Sequence, residues 1–359
     1  MVRKNLLVLF GGRSAERDVS CVSAAAILRN LGPAWRPVLV RIDPLGRWRY
    51  QSAPKAFARH PKPFRFPFAR TPAYLDPGAP TKLVVRGRAE RRIRVDAVFP
   101  IIHGPLGEDG TLQGLLESYG LPYVGCDVLG SAVGMDKEVS KRLALHAGLP
   151  VLPYAVLRSP KDSLAAAWRL RFPVFVKPSR MGSSVGVYKV DRPGALAAAV
   201  RRAFRFDTMV LVEQGVPARE IECAVLGGTA DAQGSVVGEI RPNAEFYSYE
   251  AKYIDPDGAK LIVPAELPAK TIRKVQELAV QAFQTLGGHG MARVDFLMDQ
   301  RDGRLWFNEV NTLPGFTAIS MYPKLWAAAG VPFPKLIDRL ISLAVARHKE
   351  RARLRITRD

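Results

Sequence analysis

The apolar positions in the first third of the chain fall into short continuous runs that end at glycines or polar residues. Runs of this length are typical of strands that are buried on both faces of a sheet. Three are predicted as strands: "NLLVLF" (5–10), "RPVLVRID" (36–43) and "VDAVFPIIHG" (95–104). Two other segments are predicted as helices: "RDVSCVSAAAILRNL" (17–31) and "TLQGLLESYGL" (111–121). Strands that alternate with helices in this way predict a parallel sheet.

A second unit is expected to begin near "SAVGMDKEVSKRLALHAGLPV" (131–151). Its predicted strands are "PVFVKPS" (173–179), "TMVLVEQGV" (208–216), "REIECAVLG" (219–227), "MARVDFLMD" (291–299) and "RLWFNEVN" (304–311). The last two are joined by Asp302-Gly303, which is a hairpin turn signal. Amphipathic spacing predicts helices over 270–287 and 331–353. Residues 51–80, rich in Pro, Arg and Phe, are predicted to form an irregular insertion.

Composition indicates a folded protein of more than one domain. The chain has 359 residues, of which 48% are hydrophobic and 9% aromatic, and this length exceeds what one core usually supports. No apolar run approaches the roughly 20 residues needed to span a bilayer. Three widely spaced cysteines without a CxxC pair argue against a disulfide framework or a zinc site and favour a reducing compartment.

The net charge of +20 raises the possibility of a polyanionic partner. The densest basic clusters are "RGRAERRIR" (86–94) and "RHKERARLR" (347–355), and no helix-turn-helix, zinc-finger or RNP signature accompanies them. We therefore expect no specific nucleic-acid partner. A basic protein that binds nucleic acid or an anionic membrane surface stays open as an alternative of another class.

The predicted hairpin carries candidate metal ligands. Side chains alternate along a strand, so Arg293 and Asp295 share one face of the first strand, and Glu309 and Asn311 share one face of the second. If the two faces coincide, one guanidinium and three oxygen ligands meet, and such oxygen donors suit Mg²⁺. The alternative is a polar strand end that enters the turn at Pro314-Gly315.

A lysine and a small-residue loop follow the predicted strand over 173–179. Lys177 ends the apolar run, and Gly182-Ser183-Ser184-Val185-Gly186 could let backbone N–H groups approach a phosphate. The sequence has neither a Walker A loop nor a GxGxxG fingerprint. A flexible hairpin loop, and for Lys137 a solvated helix lysine, are the alternatives.

Other candidates follow predicted strands. Glu213 and Glu220 flank a strand end whose backbone could contact an adenine, with an acid near the ribose hydroxyls. Ligands of parallel sheets bind at the carboxyl ends of the strands, so Glu16 in "GGRSAERDVS" and His103 in "HGPLGEDGTLQG" are candidate substrate contacts. A loop histidine that only forms hydrogen bonds is the alternative for His103.

The order of these stretches resembles the D-alanine–D-alanine ligases of the ATP-grasp superfamily, from residue 10 to about 326. The matching stretches are "GGRSAERDVS", "HGPLGEDGTLQGLLE", "LPYVG", "MDK", "VKPSRMGSSVGV", "VEQGV", "REIECAVLG", "EIRPNAEFYSYEAKY", "GMARVDF" and "NEVNTLPGFTAISMYPKLW". The resemblance implies an α/β, mixed α+β, three-domain ATP-grasp architecture: an N-terminal parallel-sheet substrate domain over 1–130, a central subdomain over 131–208 and a metal-binding C-terminal subdomain over 209–359.

The resemblance also implies the reaction and its cofactors. ATP, with two Mg²⁺ or Mn²⁺ ions, phosphorylates the carboxylate of one D-alanine, and the amine of a second D-alanine attacks the acyl phosphate. The product, D-alanyl-D-alanine, is a peptidoglycan precursor, which implies a cytoplasmic enzyme. A homodimer is the assembly that the family suggests. A related ligase that joins D-alanine to another amino or hydroxy acid stays open.

Site residues carry over from the resemblance by their matching motifs. The implied ATP contacts are Lys137, Lys177, Ser184, Glu213, Val216 and Glu220. The implied metal ligands are Asp295, Glu309 and Asn311. The implied catalytic residues are Glu16, Ser183 and Tyr253, which form a hydrogen-bonded triad, and Arg293 and Gly315, which stabilise an oxyanion. The implied substrate contacts are His103, Ser320 and Lys252.

The stretch "FYSYEAKYIDPDGAK" (246–260) resembles the mobile loop of the family. Such a loop would close over the site and exclude water, which protects the acyl phosphate from hydrolysis. The lactate-forming relatives lack the tyrosine-lysine-tyrosine pattern of this loop, whereas this chain keeps "EAKY". The resemblance therefore favours the dipeptide-forming type of ligase.

Overall fold

The computed structural model describes residues 3–59, 69–243, 259–317, 319–355 and 358. The strands are β1 (Lys4–Gly11), β2 (Trp35–Ile42), β3 (Trp48–Gln51), β4 (Ala73–Leu75), β5 (Lys82–Arg86), β6 (Glu90–Arg94), β7 (Ala97–Ile101), β8 (Tyr154–Leu157), β9 (Val174–Pro178), β10 (Tyr188–Val190), β11 (Val210–Gln214), β12 (Ala218–Gly227), β13 (Gln233–Pro242), β14 (Ala259–Ile262), β15 (Gly290–Asp299) and β16 (Leu305–Asn311). The α-helices are α1 (Arg17–Asn30), α2 (Pro54–Arg59), α3 (Thr111–Ser118), α4 (Val128–Met135), α5 (Lys137–His146), α6 (Ala165–Trp168), α7 (Leu196–Ala203), α8 (Ala269–Thr285), α9 (Met321–Ala328) and α10 (Phe333–Arg351).

The N-terminal sheet has the strand order β3-β2-β1-β7. The central strand β1 pairs in parallel with both β2 and β7, and only the edge strand β3 runs antiparallel within this sheet. Residues Leu6–Phe10 of β1 are fully buried, as expected for a central parallel strand covered on both faces. The predicted parallel sheet and its two helices, α1 and α3, are confirmed.

The prediction of an irregular segment over 51–80 was wrong for part of its length. Helix α2 lies in this range, and β4 pairs with β5 in a three-stranded antiparallel sheet completed by β6. The basic cluster 86–94 lies mostly on this small sheet. Leu83 and Val85 face the core, whereas the side chains of β6 are mostly exposed. The apolar signal was short and was masked by the arginines around it.

The middle of the chain forms a four-stranded antiparallel sheet with the order β10-β9-β11-β8. Helix α7 packs on one face through Leu196, Ala199, Val200 and Ala203, which share one core with Val174 and Val176 of β9. Strand β9 ends at Lys177 and Pro178 and leads into the small-residue loop. This sheet therefore presents the predicted loop at one of its ends.

The largest sheet has the order β14-β13-β12-β15-β16. Helix α8 covers it with its apolar face, because Val275, Leu278, Ala279, Ala282 and Phe283 recur at helical spacing and are buried. The predicted hairpin of β15 and β16 is confirmed, and Gly303 takes a φ of 73° in its turn, a conformation that favours glycine.

Helix α10 ties the C-terminal part of the chain to the N-terminal sheet. Its buried residues share one core with Phe10 of β1 and Phe99 of β7. The Arg347 guanidinium, also buried, donates hydrogen bonds to the carbonyls of Gly125 (2.7 Å) and Tyr123 (3.0 Å). No helix in the described residues combines the length and the apolar character needed to cross a membrane.

Candidate active site

The register of the β15–β16 hairpin brings the predicted metal ligands together. Asp295 lies directly opposite Glu309, and Arg293 lies opposite Asn311. The side chains of these four residues line one cleft, so the two predicted faces coincide. The sequence pattern therefore placed one guanidinium and three oxygen donors correctly on the same side of the sheet.

A β-bulge interrupts this hairpin beside Asp295. Asp295 pairs with Glu309, whereas the next residue, Phe296, pairs with Phe307, so Asn308 is the extra residue. The strict alternation assumed from the sequence, with Asn308 on the opposite face from Glu309, does not hold here. Asn308 also lines the cleft, and its Oδ1 accepts a hydrogen bond of 3.4 Å from Lys177.

Arg293 is held by carboxylates on its own strand and on the neighbouring one. Its Nε and Nη2 donate to the two oxygens of Asp295, both at 2.7 Å, and Nε lies 3.1 Å from Oε2 of Glu222 on β12. Burial opposes its charge, but Asp295 and Glu222 raise the pKa of Arg293 well above its usual value. The guanidinium is therefore a fixed positive charge beside the metal-type ligands.

Lys137 reaches this hairpin from the start of helix α5. Asp136 caps the helix by accepting hydrogen bonds from the backbone N–H groups of Glu138 and Val139, which is a favoured N-terminal arrangement. The ammonium of Lys137 donates to the carbonyl of Met181 (2.8 Å) and lies 3.1 Å from Oε2 of Glu309. Lys137 is thus a site residue and not a solvated helix lysine.

A buried cluster of two lysines and one glutamate lies at the wall of the cleft. Nζ of Lys141 is 2.6 Å from Oε2 of Glu213, and both side chains are 1% exposed. Nζ of Lys177 is 2.9 Å from the other carboxylate oxygen. Burial opposes ionisation of Glu213, but the two ammonium groups hold its pKa at about 2. The Glu213 carboxylate therefore fixes both lysines.

The small-residue loop after β9 has an unusual backbone. Ser183 and Ser184 both have positive φ values, 51° and 59°, which are uncommon for residues other than glycine. The small residues of this loop leave room for its backbone N–H groups to approach an anion closely. The Ser183 hydroxyl also donates a hydrogen bond to Oε1 of Glu16, so the loop contacts the N-terminal sheet region.

His103 and Glu108 lie in the loop after β7, beside Glu16. Nδ1 of His103 is 3.0 Å from the Leu313 carbonyl, and Nε2 is 3.3 Å from the Ser23 hydroxyl. Burial lowers the pKa of His103. Burial, and then the charge of Glu16, raise the pKa of Glu108 to about 8. His103 connects the N-terminal region to the turn after β16.

Gly315 and Ser320 shape that turn. The Ser320 hydroxyl accepts a hydrogen bond from the Thr317 N–H (3.1 Å) and lies 2.7 Å from the Thr317 hydroxyl. A Cβ added at Gly315 would lie 3.0 Å from the Ser320 Oγ, so a larger residue would crowd this point. Gly315 lines the cleft. Its N–H donates no hydrogen bond within the described residues.

One cleft of about 1640 Å³ collects these side chains. The predicted site residues that line it are Glu16, His103, Lys137, Lys177, Ser183, Ser184, Glu213, Val216, Glu220, Arg293, Asp295, Glu309, Asn311, Gly315 and Ser320. Lys252 and Tyr253, and the loop over 246–258, lie outside the described residues. The structure therefore brings every other predicted residue to one place, while their individual roles stay predictions.

The donor set fits a hard divalent cation. Asp295 and Glu309 face each other with the Asn311 carboxamide beside them, and Mg²⁺ prefers such oxygen donors. In the described ranges, no group of three or more His, Cys, Asp or Glu side chains is arranged around a metal position. The predicted set is of a different kind, since its third donor is an asparagine, and it stays a prediction. Arg293 and Lys137 neutralise the two carboxylates in this structure.

Three residues that line the cleft, and one that lies next to it, were not predicted from the sequence. Glu108, Glu222 and Asn308 line the cleft, and Lys141 lies directly behind it. Two signals were available: Glu222 is two residues after Glu220 and so shares its strand face, and Lys141 is one helical turn after Lys137. The bulge at Asn308 has no comparable signal.

A four-stranded and a five-stranded antiparallel sheet, with a cleft lined by Lys177 of the first sheet, Lys137 of α5 and carboxylates of the second sheet, define an ATP-grasp protein. Comparisons with known proteins agree. Residues 5–126 match the family model "D-ala D-ala ligase N-terminus" and residues 143–342 match "D-ala D-ala ligase C-terminus". The chain belongs to the D-ala D-ala ligase family.

Similar proteins cover nearly the whole chain. D-alanine–D-alanine ligase A of Bradyrhizobium diazoefficiens is 48% identical, with 97% of each chain covered. The solved D-alanine-D-alanine ligase of Coxiella burnetii superposes with a TM-score of 0.86 at 36% identity, covering 98% of this chain and 96% of its own. The solved VanG D-Ala:D-Ser ligase of Enterococcus faecalis superposes with a TM-score of 0.85 at 35% identity, covering 96% of this chain and 100% of its own.

Proposed function

We propose that the chain is an ATP-dependent ligase that joins two D-alanine molecules into D-alanyl-D-alanine for peptidoglycan precursor synthesis. ATP transfers its terminal phosphoryl group to the carboxylate of the first D-alanine, which gives an acyl phosphate and ADP. The amine of the second D-alanine attacks the acyl carbon, and phosphate leaves from a tetrahedral intermediate. Family membership over the full chain supports this reaction.

The observation that carries the proposal is the cross-strand pairing of Asp295 with Glu309, flanked by Arg293 and Asn311. This arrangement places two carboxylates and a guanidinium at one point of the cleft. Phosphoryl transfer needs little covalent chemistry from a protein but needs positioned positive charge around the phosphoryl oxygens. Lys137 of α5 and Lys177 of β9, which also line the cleft, supply that charge.

The nucleotide side of the cleft is assigned to Lys137, Lys177 and the Ser184 loop. Lys137 and Lys177 approach from α5 and β9 and would neutralise charge on the phosphates. The Ser184 loop is assigned to a phosphate oxygen, because its small residues let backbone N–H groups approach closely. Val216 and Glu220 follow β11 and are assigned to the adenine and the ribose.

Glu213 has a more specific role than the sequence indicated. Its side chain is engaged by Lys141 and Lys177, so its carboxylate orders a phosphate-binding lysine. Any additional contact with the adenine is consistent with its position at the end of β11. We therefore assign two roles to Glu213: it holds Lys177 in place, and it forms part of the nucleotide pocket.

The metal ions, when bound by Asp295, Glu309 and Asn311, supply positive charge that neutralises the phosphoryl oxygens. Arg293 and the Gly315 N–H are assigned to the oxyanion of the tetrahedral intermediate. Each donates from a fixed position: Arg293 from its carboxylate clamp, Gly315 from the turn braced by Ser320. Fixed donors of this kind typically contribute roughly 3–4 kcal/mol to transition-state stabilisation.

The first D-alanine is assigned to the Glu16 end of the cleft. The Glu16 carboxylate would hold its ammonium group, with the Ser183 hydroxyl ordering that carboxylate. His103 lies beside this pair, and Tyr253 is proposed to complete the triad. Ser320 is assigned to the carboxylate of the second D-alanine, with Lys252 as a further substrate contact.

Three further properties are part of the proposal. The chain is proposed to act in the cytoplasm, as a homodimer, and as three units. The units predicted from the sequence are 1–130, 131–208 and 209–359, and we propose to move the last boundary from residue 208 to Gln214, because β11 pairs with β8 and β9 in the four-stranded sheet.

The proposal is tested with D-alanine that carries ¹⁸O in its carboxylate, together with ATP and Mg²⁺. Mass spectrometry should find D-alanyl-D-alanine and one ¹⁸O atom transferred to inorganic phosphate, because an acyl phosphate breaks at its C–O bond when the amine attacks. Dipeptide without ¹⁸O in phosphate would overturn the mechanism. Absence of dipeptide would overturn the function.

A second candidate is a ligase that accepts D-serine as the second substrate. Its support is the structural likeness to a VanG D-Ala:D-Ser ligase, with a TM-score of 0.85. The test is a competition in which the chain receives equal D-alanine and D-serine. We expect mostly D-alanyl-D-alanine, and a dominant mixed product would establish the second candidate instead.

A further inference from the structure

A ladder of three carboxylates crosses the large sheet beside Arg293. Glu222 on β12 lies opposite Asp295 on β15, which lies opposite Glu309 on β16. All three line the cleft. Asp295 and Glu309 are already assigned to metal binding, whereas Glu222 has no role in the proposed reaction.

Glu222 is placed for contact with Arg293. Its side chain is 5% exposed, and its Oε2 lies 3.1 Å from Nε of the guanidinium. A carboxylate this deeply buried is costly unless a cation accompanies it. The Arg293 guanidinium is the cation that the structure places beside it.

The guanidinium is gripped along one edge. Asp295 accepts from Nε and Nη2, and Glu222 adds a second carboxylate at Nε. Among the described residues, no hydrogen bond to Nη1 is seen, and Arg293 lines the cleft. The planar fork of an arginine fixes its free edge once the other edge is held. With Nε and Nη2 held, Nη1 is the nitrogen left to donate a hydrogen bond within the cleft that Arg293 lines.

Asp295 alone is a weak anchor for this purpose. As a predicted metal ligand, Asp295 would share its oxygen atoms between a metal ion and Arg293, whereas Glu222 is not among the predicted metal ligands. Asp295 is two residues from Arg293 on the same strand, and Glu222 holds the guanidinium from the next strand. A brace from a separate strand resists rotation of the long arginine side chain.

We propose that Glu222 is a positioning residue, which holds the Arg293 guanidinium toward the oxyanion of the tetrahedral intermediate. The inference rests on the proposed ligase function. It predicts that Glu222 acts on the transition state through Arg293 and contributes little to binding of ATP. Loss of a partner that orients a functional group typically costs roughly 10- to 100-fold in activity.

The test compares Glu222→Gln with Glu239→Gln. Glu239 is a matched control, because it is a buried glutamate of the same sheet that pairs with Arg219 (2.6 Å) and Arg241 (2.9 Å) instead of Arg293. For E222Q we expect kcat to fall roughly 10- to 100-fold, with the KM for ATP unchanged. E239Q is expected to keep its kcat, whatever happens to its melting temperature.

Two further readouts separate positioning from a structural role. Calorimetry measures affinity for a phosphinate dipeptide analogue whose tetrahedral phosphorus mimics the attacked carbon, and E222Q should lose affinity by the same factor as kcat. In an Arg293→Lys background, E222Q should have almost no further effect. Glu222→Asp keeps the charge and shortens the side chain, so its kcat and analogue affinity should lie between those of the wild type and E222Q. This variant replaces E222Q in the test if E222Q does not fold.

Unchanged kcat and analogue affinity in E222Q, or in E222D should E222Q not fold, would overturn the inference. So would an equal loss from E222Q in the wild-type and Arg293→Lys backgrounds, since Glu222 would then act independently of Arg293. Failure of the proposed function looks different, because the wild-type chain itself would form no D-alanyl-D-alanine.

Discussion

The Ser183 hydroxyl donates a hydrogen bond to the Glu16 carboxylate, joining two residues that are 167 positions apart in the chain. Ser183 sits in the loop after β9, and Glu16 precedes α1 of the N-terminal region. The bond links the loop assigned to phosphate with the residue assigned to the first D-alanine. Order in one half of the cleft therefore depends on order in the other.

Ser183→Ala should weaken the use of D-alanine. Hydrogen bonds to charged groups contribute roughly 1.5–3 kcal/mol, which corresponds to roughly a 10- to 150-fold fall in kcat/KM for D-alanine. Steady-state kinetics with D-alanine varied would measure it. Ser342→Ala is the control, because that hydroxyl lies on the exposed face of α10 and donates to the Asp338 carbonyl of the same helix. Equal kinetics for the two variants would contradict the role of Ser183.

Arg293→Ala should stop turnover and leave ATP binding largely intact. Loss of one oxyanion donor typically lowers kcat by roughly 100- to 1000-fold. Calorimetry with ATP and a turnover assay would separate the two effects. Arg301→Ala is a matched control, since Arg301 clamps Asp299 on the same hairpin in a similar way but is 62% exposed. Near-normal turnover in R293A would refute the assignment.

Lys141→Met should destabilise the fold. The change leaves the buried Glu213 carboxylate with one ammonium partner instead of two, and breaking a buried pair costs roughly 3–5 kcal/mol. We expect about 3 kcal/mol, the lower end of that range, because Lys177 still pairs with Glu213. Urea unfolding measures the loss. Lys274→Met, an exposed lysine 3.7 Å from Glu277 on α8, should change stability by less than about 0.5 kcal/mol.

The same cluster predicts that the free energy of unfolding decreases as the pH falls below about 4. The pKa of Glu213 is lowered to about 2 in the folded chain, so its contribution is present above the unfolded pKa of roughly 4.3. It is lost as the pH falls from there toward 2. In K141M the lowering should be smaller, and the wild-type and variant stabilities should converge across this window. A constant difference down to pH 2 would contradict the assignment.

Glu108→Gln should stabilise the chain at alkaline pH. Burial and the nearby Glu16 charge raise the pKa of Glu108 from 4.5 to about 8, so the folded state holds a proton that the unfolded state loses between these values. Stability from this group therefore falls as the pH rises through that window. The gain of E108Q over wild type should be largest above pH 8 and vanish near pH 4, whereas the exposed control Glu277→Gln should show no such trend.

Sequence patterning predicted the hairpin and its chemistry because both depend on local rules. The period of two fixed the faces of Arg293, Asp295, Glu309 and Asn311, and a turn signal fixed the hairpin. The parallel N-terminal sheet followed from continuous apolar runs. The family resemblance then supplied the roles of residues that no local rule assigns, such as Ser320.

Other features depend on contacts that the sequence does not contain. The bulge that turns Asn308 into the cleft lies beside the paired Phe296 and Phe307, whose ring centroids are 6.4 Å apart. The three short strands of the small basic sheet were not predicted, because arginines around them mask their apolar pattern. The Lys141–Glu213 pair joins helix α5 to strand β11, which are far apart in the sequence, so no local pattern predicts the contact.

The central claim is tested most directly by ADP release from the purified chain with ATP, Mg²⁺ and D-alanine, beside matched tubes that contain L-alanine, D-serine or D-lactate instead. We predict release that depends on D-alanine, in step with D-alanyl-D-alanine detected by mass spectrometry. Release only with another acid would contradict the D-alanine assignment and leave an ATP-dependent ligase of different substrate. Release with none of the four would contradict the ligase function itself.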